Sequence, residues 1–391
     1  MTTATKSIEM SADQRQAHDA VVEWVKAGKT KLLTLGGYAG VGKTTIIGEI
    51  MRTLRAQKPK DKRRPFAVGF CAFTGKASLV LRTKLEAAGV LGQDFCGTIH
   101  SMIYEPVTQG GLVIGWRKRD KADVALDLII LDEASMIDEV LFKDLQSYVI
   151  PILAVGDHGQ LPPVKGTLNL MENPQIKLEK IHRQAEGNPI IKLATLVRET
   201  GKIPVGKYGE FVNKVRDRAI IERILNPSEM LILCGTNRTR VSVNALIRQR
   251  LGFTSPEPED GEKVICLRNN RDANIYNGMQ GVIRSIQPDG DHWYKAEIDM
   301  DGTGVRFKDR ICKHQFGEPK TIQEVPNLHP KAIGDRFDFG YCITVHKAQG
   351  SEHGRVVVID ECDWMESDDM KRRWRYTAIT RSSERLLVIG D

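Results

Sequence analysis

The sequence predicts an α/β fold of two units, each built on a parallel sheet covered by helices on both faces, with a small β-barrel inserted in the second. Three observations predict it. Short apolar runs at 31–35, 66–73, 126–131, 150–155, 230–234 and 356–359 alternate with segments that read as helices, the pattern of buried parallel strands joined by helical crossovers. The 391 residues exceed what one ordinary hydrophobic core serves, so at least two domains are expected. From about residue 254 the character changes: SPEPEDGEK leads into VICLR, QGVIRSI, WYKAEIDM and GVRFKDRICK, alternating runs broken by Asn-Gly and Asp-Gly turns.

Taken in order, residues 12–27 place Ala17, Ala20, Val21, Trp24 and Val25 at helical spacing behind Ser11, with Asp13 and Asp19 early in the run. The strand 31–35 then meets Gly37-x-x-x-x-Gly42-Lys43-Thr44. This spacing fits a phosphate-binding loop: glycines let backbone N–H groups close around phosphate oxygens, and the lysine adds a point charge. A helical pattern over 44–57 follows, completing the strand, loop and helix that such a loop requires.

A second strand, 128–131, runs into Asp132-Glu133, which sets two carboxylates at the carboxyl edge of a sheet. Asp132 together with the Thr44 hydroxyl suits Mg²⁺, and Glu133 suits the orientation and deprotonation of an attacking water. A strand whose following helix is merely capped by Asp132 is the plainer alternative. A third strand ends in Gly156-Asp157-His158-Gly159-Gln160-Leu161-Pro162-Pro163, where Asp157 and Gln160 could bond a γ-phosphate or the lytic water; a plain turn is the alternative there. Charge spread over a transferring phosphoryl group calls for a fixed guanidinium, and Arg183 and Arg381 are the candidates. If Arg381 reaches a nucleotide held by Lys43, the two halves face each other across it and hydrolysis changes their separation.

Composition excludes other classes. With 41% apolar and 27% charged residues the chain reads as globular, and no stretch approaches the roughly 18 uninterrupted apolar residues of a membrane span. The first residues, MTTATKSIEMSADQ, hold no apolar signal core, so a cytoplasmic protein with no membrane partner is expected. Seven cysteines without a C-x-x-C pair argue against a disulfide framework or a zinc ribbon. The net charge of +7 permits an anionic partner, while the basic runs 60–64, 117–119 and 371–375 read individually as solvated faces.

On these motifs and their order the chain resembles the superfamily 1B DNA helicases, most closely the short Dda-like and RecD-like branch. Gln14 in ADQRQA looks like the family's adenine-reading glutamine. GYAGVGKTT, which carries Gly37, Gly40, Gly42, Lys43, Thr44 and Thr45, is similar to motif I. FTGKAS is similar to motif Ia, TIHS to Ib, LDEAS to II, GDHGQLPP to III, KIHRQ to IV, YCITVHKAQGSE to V and RYTAITRS to VI. The resemblance spans residues 14–385, and the GDxxQLPP and T-x-H-K-x-Q-G-S-E strings are far more specific than the phosphate loop. Phe73 departs from the proline that usually precedes Thr-Gly-Lys.

The resemblance implies two RecA-like P-loop domains, 1–190 and 191–391, with ATP between them and single-stranded DNA lying across both. The first would carry a small hairpin excursion at about 102–124, the second an SH3-like β-barrel at about 254–337. Thr74, Lys76, Thr98, Ser101, Asn237, Thr344 and His346 would touch the strand, mainly its phosphates, while Gln349, Gly350 and Glu352 would couple that contact to the nucleotide. The hairpin residues 111–116 would form a wedge at the single-strand/duplex junction, with Trp116 either stacked on a base, worth roughly 1–3 kcal/mol, or packed on its own hairpin. The implied activity is ATP hydrolysis driving 5′ to 3′ translocation and unwinding in replication, recombination or repair, in a bacterial or phage-infected cell. A monomer is expected, meeting single-strand-binding or recombination proteins. Two other readings remain open: a P-loop ATPase switch, and a RecD-like subunit of a recombination nuclease. The end of the chain directly after the motif VI strand favours a free-standing enzyme.

Overall fold

The computed structural model describes residues 10–56, 65–109, 112–163, 168–180, 187–223, 229–270, 272–301, 304–329 and 332–390. Two compact units emerge. One runs through Phe73 and from Ala77 to Gly187; the other comprises Thr74–Lys76 and the chain from Asn188 onward.

The first unit opens with the helix Ala12–Ala27. Its start is fixed by a capping box: the Ser11 side chain accepts from the Gln14 amide, and the Gln14 side chain accepts from Ser11 N at 3.1 Å. Gly28, in the left-handed region at φ +61°, ends it. Eight strands follow: β1 (Leu32–Gly37), β2 (Val68–Ala72), β3 (Phe95–Thr98), β4 (Tyr104–Gln109), β5 (Leu112–Lys118), β6 (Leu128–Asp132), β7 (Ile152–Gly156) and β8 (Ile176–Leu178). Six of them form one parallel sheet in the order β3-β2-β6-β7-β1-β8, while β4 and β5 pair as a separate antiparallel hairpin. β1 extends past the apolar run 31–35, because Gly36 still pairs with Gly156 on one side and Lys177 on the other.

Strand alternation explains the two covered faces. Val68, Phe70, Leu128, Ile130, Leu153 and Val155 point into one core, with side chains of Ala12–Ala27, Lys43–Ala56 and Gly75–Ala87. Cys71, Ile129, Leu131, Ile152 and Ala154 point into the other, with Ile99–Ile103 and Glu139–Gln146.

The second unit contains β9 (Gly206–Gly209), β10 (Val212–Val215), β11 (Leu231–Cys234), β12 (Lys263–Cys266), β13 (Gln280–Asp289), β14 (Trp293–Met300), β15 (Arg306–Cys312), β16 (Phe337–Phe339), β17 (Cys342–Thr344), β18 (His353–Ile359) and β19 (Ser382–Ile389). Its main sheet runs β17-β11-β18-β19-β10-β9, parallel except for the edge strand β9. β12 to β16 make the second sheet, antiparallel, in the order β15-β14-β13-β12-β16. The residues leading into β16 close it into a barrel: Cys312 N donates to Asp335 O at 2.7 Å, and Leu267 N donates to Arg336 O at 2.8 Å. Phe307 and Phe337 meet inside, with ring centroids 5.2 Å apart.

The helix Asn237–Arg250 fastens the barrel to the main sheet through two buried ion pairs. Arg248 grips the Glu262 carboxylate at 2.6 and 2.9 Å and lies over the Phe339 ring at 4.0 Å. Two turns earlier, Arg240 bonds Asp338 and donates to Glu318 O at 2.6 Å. A third buried knot ties the sheet itself: Asp360 takes Lys214 Nζ and Arg375 Nε, each at 2.9 Å. All seven cysteines are buried thiols, and among the described residues no helix is long and apolar enough to cross a membrane.

Removing one partner of a buried pair leaves an uncompensated charge, which costs about 3–5 kcal/mol. Glu262→Ala is therefore expected to destabilise the second unit by that amount, read as a lower urea midpoint at unchanged slope. The paired replacement Arg248→Met with Glu262→Leu should recover most of it, as read by tryptophan fluorescence.

Candidate functional site

Because β1, β7 and β6 are parallel neighbours, the loops leaving their carboxyl ends lie side by side. The first is the glycine loop. Gly40 and Gly42 both stand at φ +81°, a conformation that a side chain would strain. Lys43 begins the helix Lys43–Ala56, and its ammonium donates back to Gly37 O at 2.8 Å and Tyr38 O at 3.0 Å. Thr44 and Thr45 sit half-buried in that first turn. Gln14 reaches the loop as well, donating from Nε2 to Val41 O at 2.9 Å, so the same side chain caps the N-terminal helix and tethers the glycine loop.

The second loop carries Asp132 and Glu133. Burial pushes the Asp132 carboxyl up, and Lys43 is the strongest influence pulling it back down, which makes the two electrostatic partners. Glu133 adopts a left-handed conformation, φ +53°, unusual for a residue with a side chain; it opens the turn Ala134–Met136.

The third loop is tight. Asp157 accepts from Gly159 N at 2.9 Å, Gln160 N donates to Asp157 O at 3.3 Å, and both side chains are buried. One contact escaped the sequence reading. The Tyr38 and His158 rings, on the first and third loops, pack with centroids 4.0 Å apart. Burial pushes the His158 imidazole below its ordinary range.

Elsewhere in the first unit, Thr98 caps the helix Ile99–Ile103: its hydroxyl oxygen accepts from Ser101 N at 3.1 Å, and Ser101 Oγ donates to Thr98 O at 2.8 Å. Trp116 lies on β5, 45% exposed, edge-on to His100 with centroids 4.7 Å apart. The tip of the expected wedge, 110–111, lies outside the described residues, as do Arg183 and the basic run 60–64. Thr74 and Lys76, which group with the second unit, are half-buried, and burial pushes the Lys76 ammonium down to about 8.

The second unit sorts its candidates by sheet edge. At the carboxyl end stand Asn237, which opens the helix after β11 and accepts from Arg240 Nε at 3.2 Å, and Thr344, which ends the adjacent β17 in register with Cys234. Thr344 caps Val345–Ala348, and burial pushes the His346 imidazole in that turn below its ordinary range. Gln349, Gly350 (φ +71°) and the exposed Glu352 follow, leading to the amino end of β18. Arg381 immediately precedes β19, whose Ser382 pairs with His353 at the start of β18. It donates to Thr377 O at 3.1 Å, Ser351 O at 3.0 Å and Thr380 Oγ1 at 3.2 Å. Gln349, Gly350, Glu352 and Arg381 thus share one end of the sheet, and Asn237, Thr344 and His346 the other.

Two expectations follow. A left-handed non-glycine residue carries strain of order 1–3 kcal/mol, so Glu133→Gly should match or exceed the parent's resistance to urea, whereas Glu133→Val should lose about 1–2 kcal/mol. The second concerns acid. Burial, reinforced by Lys76, Lys263 and Arg381, pushes His353 from 6.5 down to about 3. The unfolded chain therefore takes up this proton first as pH falls, and by pH 5 the second unit should be about 2 kcal/mol less stable than at neutrality. His353→Gln should flatten that part of the pH–stability curve.

A sequence family described as an AAA domain matches residues 9–224, and one described as a UvrD-like helicase C-terminal domain matches residues 339–389. The ATP-dependent RecD2 DNA helicase of Deinococcus radiodurans is 28% identical over 388 residues, covering 92% of this chain and 47% of the relative. The ATP-dependent DNA helicase dda of phage T4 is 27% identical over 288 residues, covering 66% of this chain and 61% of the relative. The chain thus spans about half to three-fifths of the length of these two relatives. Its fold is similar to that of a Bacteroides Pif1 helicase solved with ADP-AlF3 and single-stranded DNA, at 16% identity and a TM-score of 0.57, covering 98% of this chain and 92% of that one. With more than half of the chain matched by one family and the remaining motifs in the expected order, the chain belongs to the superfamily 1B helicases of the Dda and RecD type.

Proposed function

We propose that this protein is an ATP-driven motor that moves 5′ to 3′ along single-stranded DNA and opens duplex ahead of it, in replication, recombination or repair. The observation that carries the reading is the shared carboxyl edge of β1, β7 and β6, where a phosphate-type loop, a paired carboxylate and a polar sensor loop are sheet neighbours. The relatives named as ATP-dependent DNA helicases support it.

In this reading the loop amides and Lys43 hold the nucleotide's phosphates, and Gln14 reads its base. Thr44 and Asp132 fit a hard cation: both offer oxygen donors, and the buried Asp132 carboxylate already lies in the field of Lys43. When bound, Mg²⁺ would neutralise charge on the phosphoryl oxygens. Glu133 accepts the proton of the attacking water. Asp157 and Gln160, held in one turn, orient that water or bond the γ-phosphate, while Arg183 and Arg381 meet the charge that develops on the transferring group. Coupling to the nucleotide falls to Gln349, Gly350 and Glu352.

Thr74, Lys76, Thr98, Ser101, Asn237, Thr344 and His346 would contact the strand. Most are neutral donors, which suit phosphate oxygens of any sequence, and a motor that walks every sequence needs that indifference. The hairpin bearing Trp116 would meet the junction between single strand and duplex. Single-strand-binding or recombination proteins are the expected protein partners of a monomer working in the cytoplasm.

Unwinding of two partial duplexes, one with a 5′ and one with a 3′ single-stranded tail, tests the proposal in the presence of ATP and Mg²⁺. Only the 5′-tailed substrate should open. Lys43→Ala should open neither, and Glu133→Gln should slow DNA-stimulated hydrolysis by about 10²–10⁴-fold while nucleotide still binds. DNA-stimulated hydrolysis without any unwinding would reduce the reading to a translocase, and a protein whose hydrolysis ignores DNA would point instead to a nucleotide-controlled switch.

A further inference from the structure

The base of the β4–β5 hairpin is held by side chains that no motif contains. The two legs begin where Arg119 N donates to Ile103 O at 2.8 Å. The Tyr148 hydroxyl stands within reach of both leg carbonyls, Ile103 O at 3.0 Å and Arg119 O at 2.8 Å, and shares its single proton between them. Beside it, Asp144 takes one bond from each strand: Tyr104 of β4 donates through its hydroxyl, and Lys118 of β5 approaches at 3.4 Å. Lys118 also donates to Ser147 Oγ at 3.1 Å. Tyr104 and Lys118 are themselves cross-strand partners, so Asp144 and Tyr148 clasp the hairpin at its first rung.

The clasp belongs to the element that follows the carboxylate pair. From Glu133 the chain makes the turn Ala134–Met136, is capped by Asp138, whose side chain accepts from Leu141 N at 2.9 Å, and runs through Glu139–Gln146 into Ser147 and Tyr148. Ala134, Ile137, Phe142, Leu145 and Tyr148 pack in the same core as Ile99, Met102 and Ile103, the short helix from which β4 departs. A displacement of this segment therefore carries the hairpin base with it, since packed cores resist continuous deformation.

We propose that Tyr148 and Asp144 are positioning residues that lock the β4–β5 hairpin to the segment following Asp132-Glu133, keeping the hairpin in the attitude that splits a duplex while the nucleotide site turns over. The wedge role rests on the function proposed above; the lock itself rests on the contacts alone.

Two measurements on the whole protein test it with Tyr148→Phe and Asp144→Asn, both close in shape to the parent. In the first, base pairs opened per ATP on a 5′-tailed duplex should fall about tenfold, with single-strand-stimulated hydrolysis within twofold of the parent. In the second, hydrogen exchange of the β4–β5 amides should quicken about tenfold, with β6 and β7 unchanged. Parental coupling together with parental exchange overturns the lock. Hydrolysis falling in step with unwinding, or exchange quickening throughout the sheet, also overturns it, because that is the mark of a general structural role. If the parent protein opens no duplex, the wedge reading fails, and faster hairpin exchange in Tyr148→Phe still upholds the lock.

Discussion

Everything proposed for the first unit depends on the parallel pairing of β1 with β7 and of β7 with β6. Parallel strands end on the same side, so three loops distant in sequence are delivered to one edge without any need to attract one another. The register is fixed by burial on both faces. A one-residue slip of β6 would exchange Ile129 and Leu131 for Leu128 and Ile130 across the two cores, and would also carry Asp132 off the edge. The apolar cores therefore set the position of the carboxylate, and the glycine loop then brings Lys43 close enough to offset part of the cost of burying it.

The second unit solves a different problem with charge. A barrel and a parallel sheet each have their own core, and the helix between them must belong to both. Arg240 and Arg248, eight residues apart on one helix face, reach Asp338 within the barrel's closing strand and Glu262 just before its opening one. Such pairs contribute little net stability against an apolar alternative, but any other docking would strand a charge in the interior. That penalty selects one arrangement of barrel on sheet, where a greasy contact would tolerate several.

Legibility in the sequence followed the range of the interaction. The glycine loop, the strand ending in Asp132-Glu133 and the Asp157–Gln160 turn were readable because each is a local pattern whose strand precedes it directly. The barrel strands were readable from alternation and turn residues. By contrast, β8 and β17 are three residues long and β9 is the polar stretch GKYG, too short or too mixed to carry a period. The Tyr38–His158 contact joins two positions that the motifs leave open, and the Tyr148 clasp joins residues 29 and 45 apart with no pattern between them. Side-chain partnerships across such separations become visible only once the sheet has fixed the elements that carry them.

One structural device recurs in both halves. In the second unit the segment from Thr344 to Glu352 starts at the carboxyl edge of the sheet, where the residues proposed for the strand stand, and finishes at the amino edge beside Arg381. In the first, the segment from Asp132 to Tyr148 starts at the proposed nucleotide edge and finishes under the hairpin. Each is short, capped by a side chain, Thr344 in one and Asp138 in the other, and packed along its length, so neither can absorb a shift at one end by bending in the middle. The proposed motor would need such stiffness between the residues assigned to phosphate and those assigned to DNA. Here it comes from ordinary caps and cores, and the strained Glu133 stands at the head of the first segment, the one residue of that turn held away from its relaxed conformation.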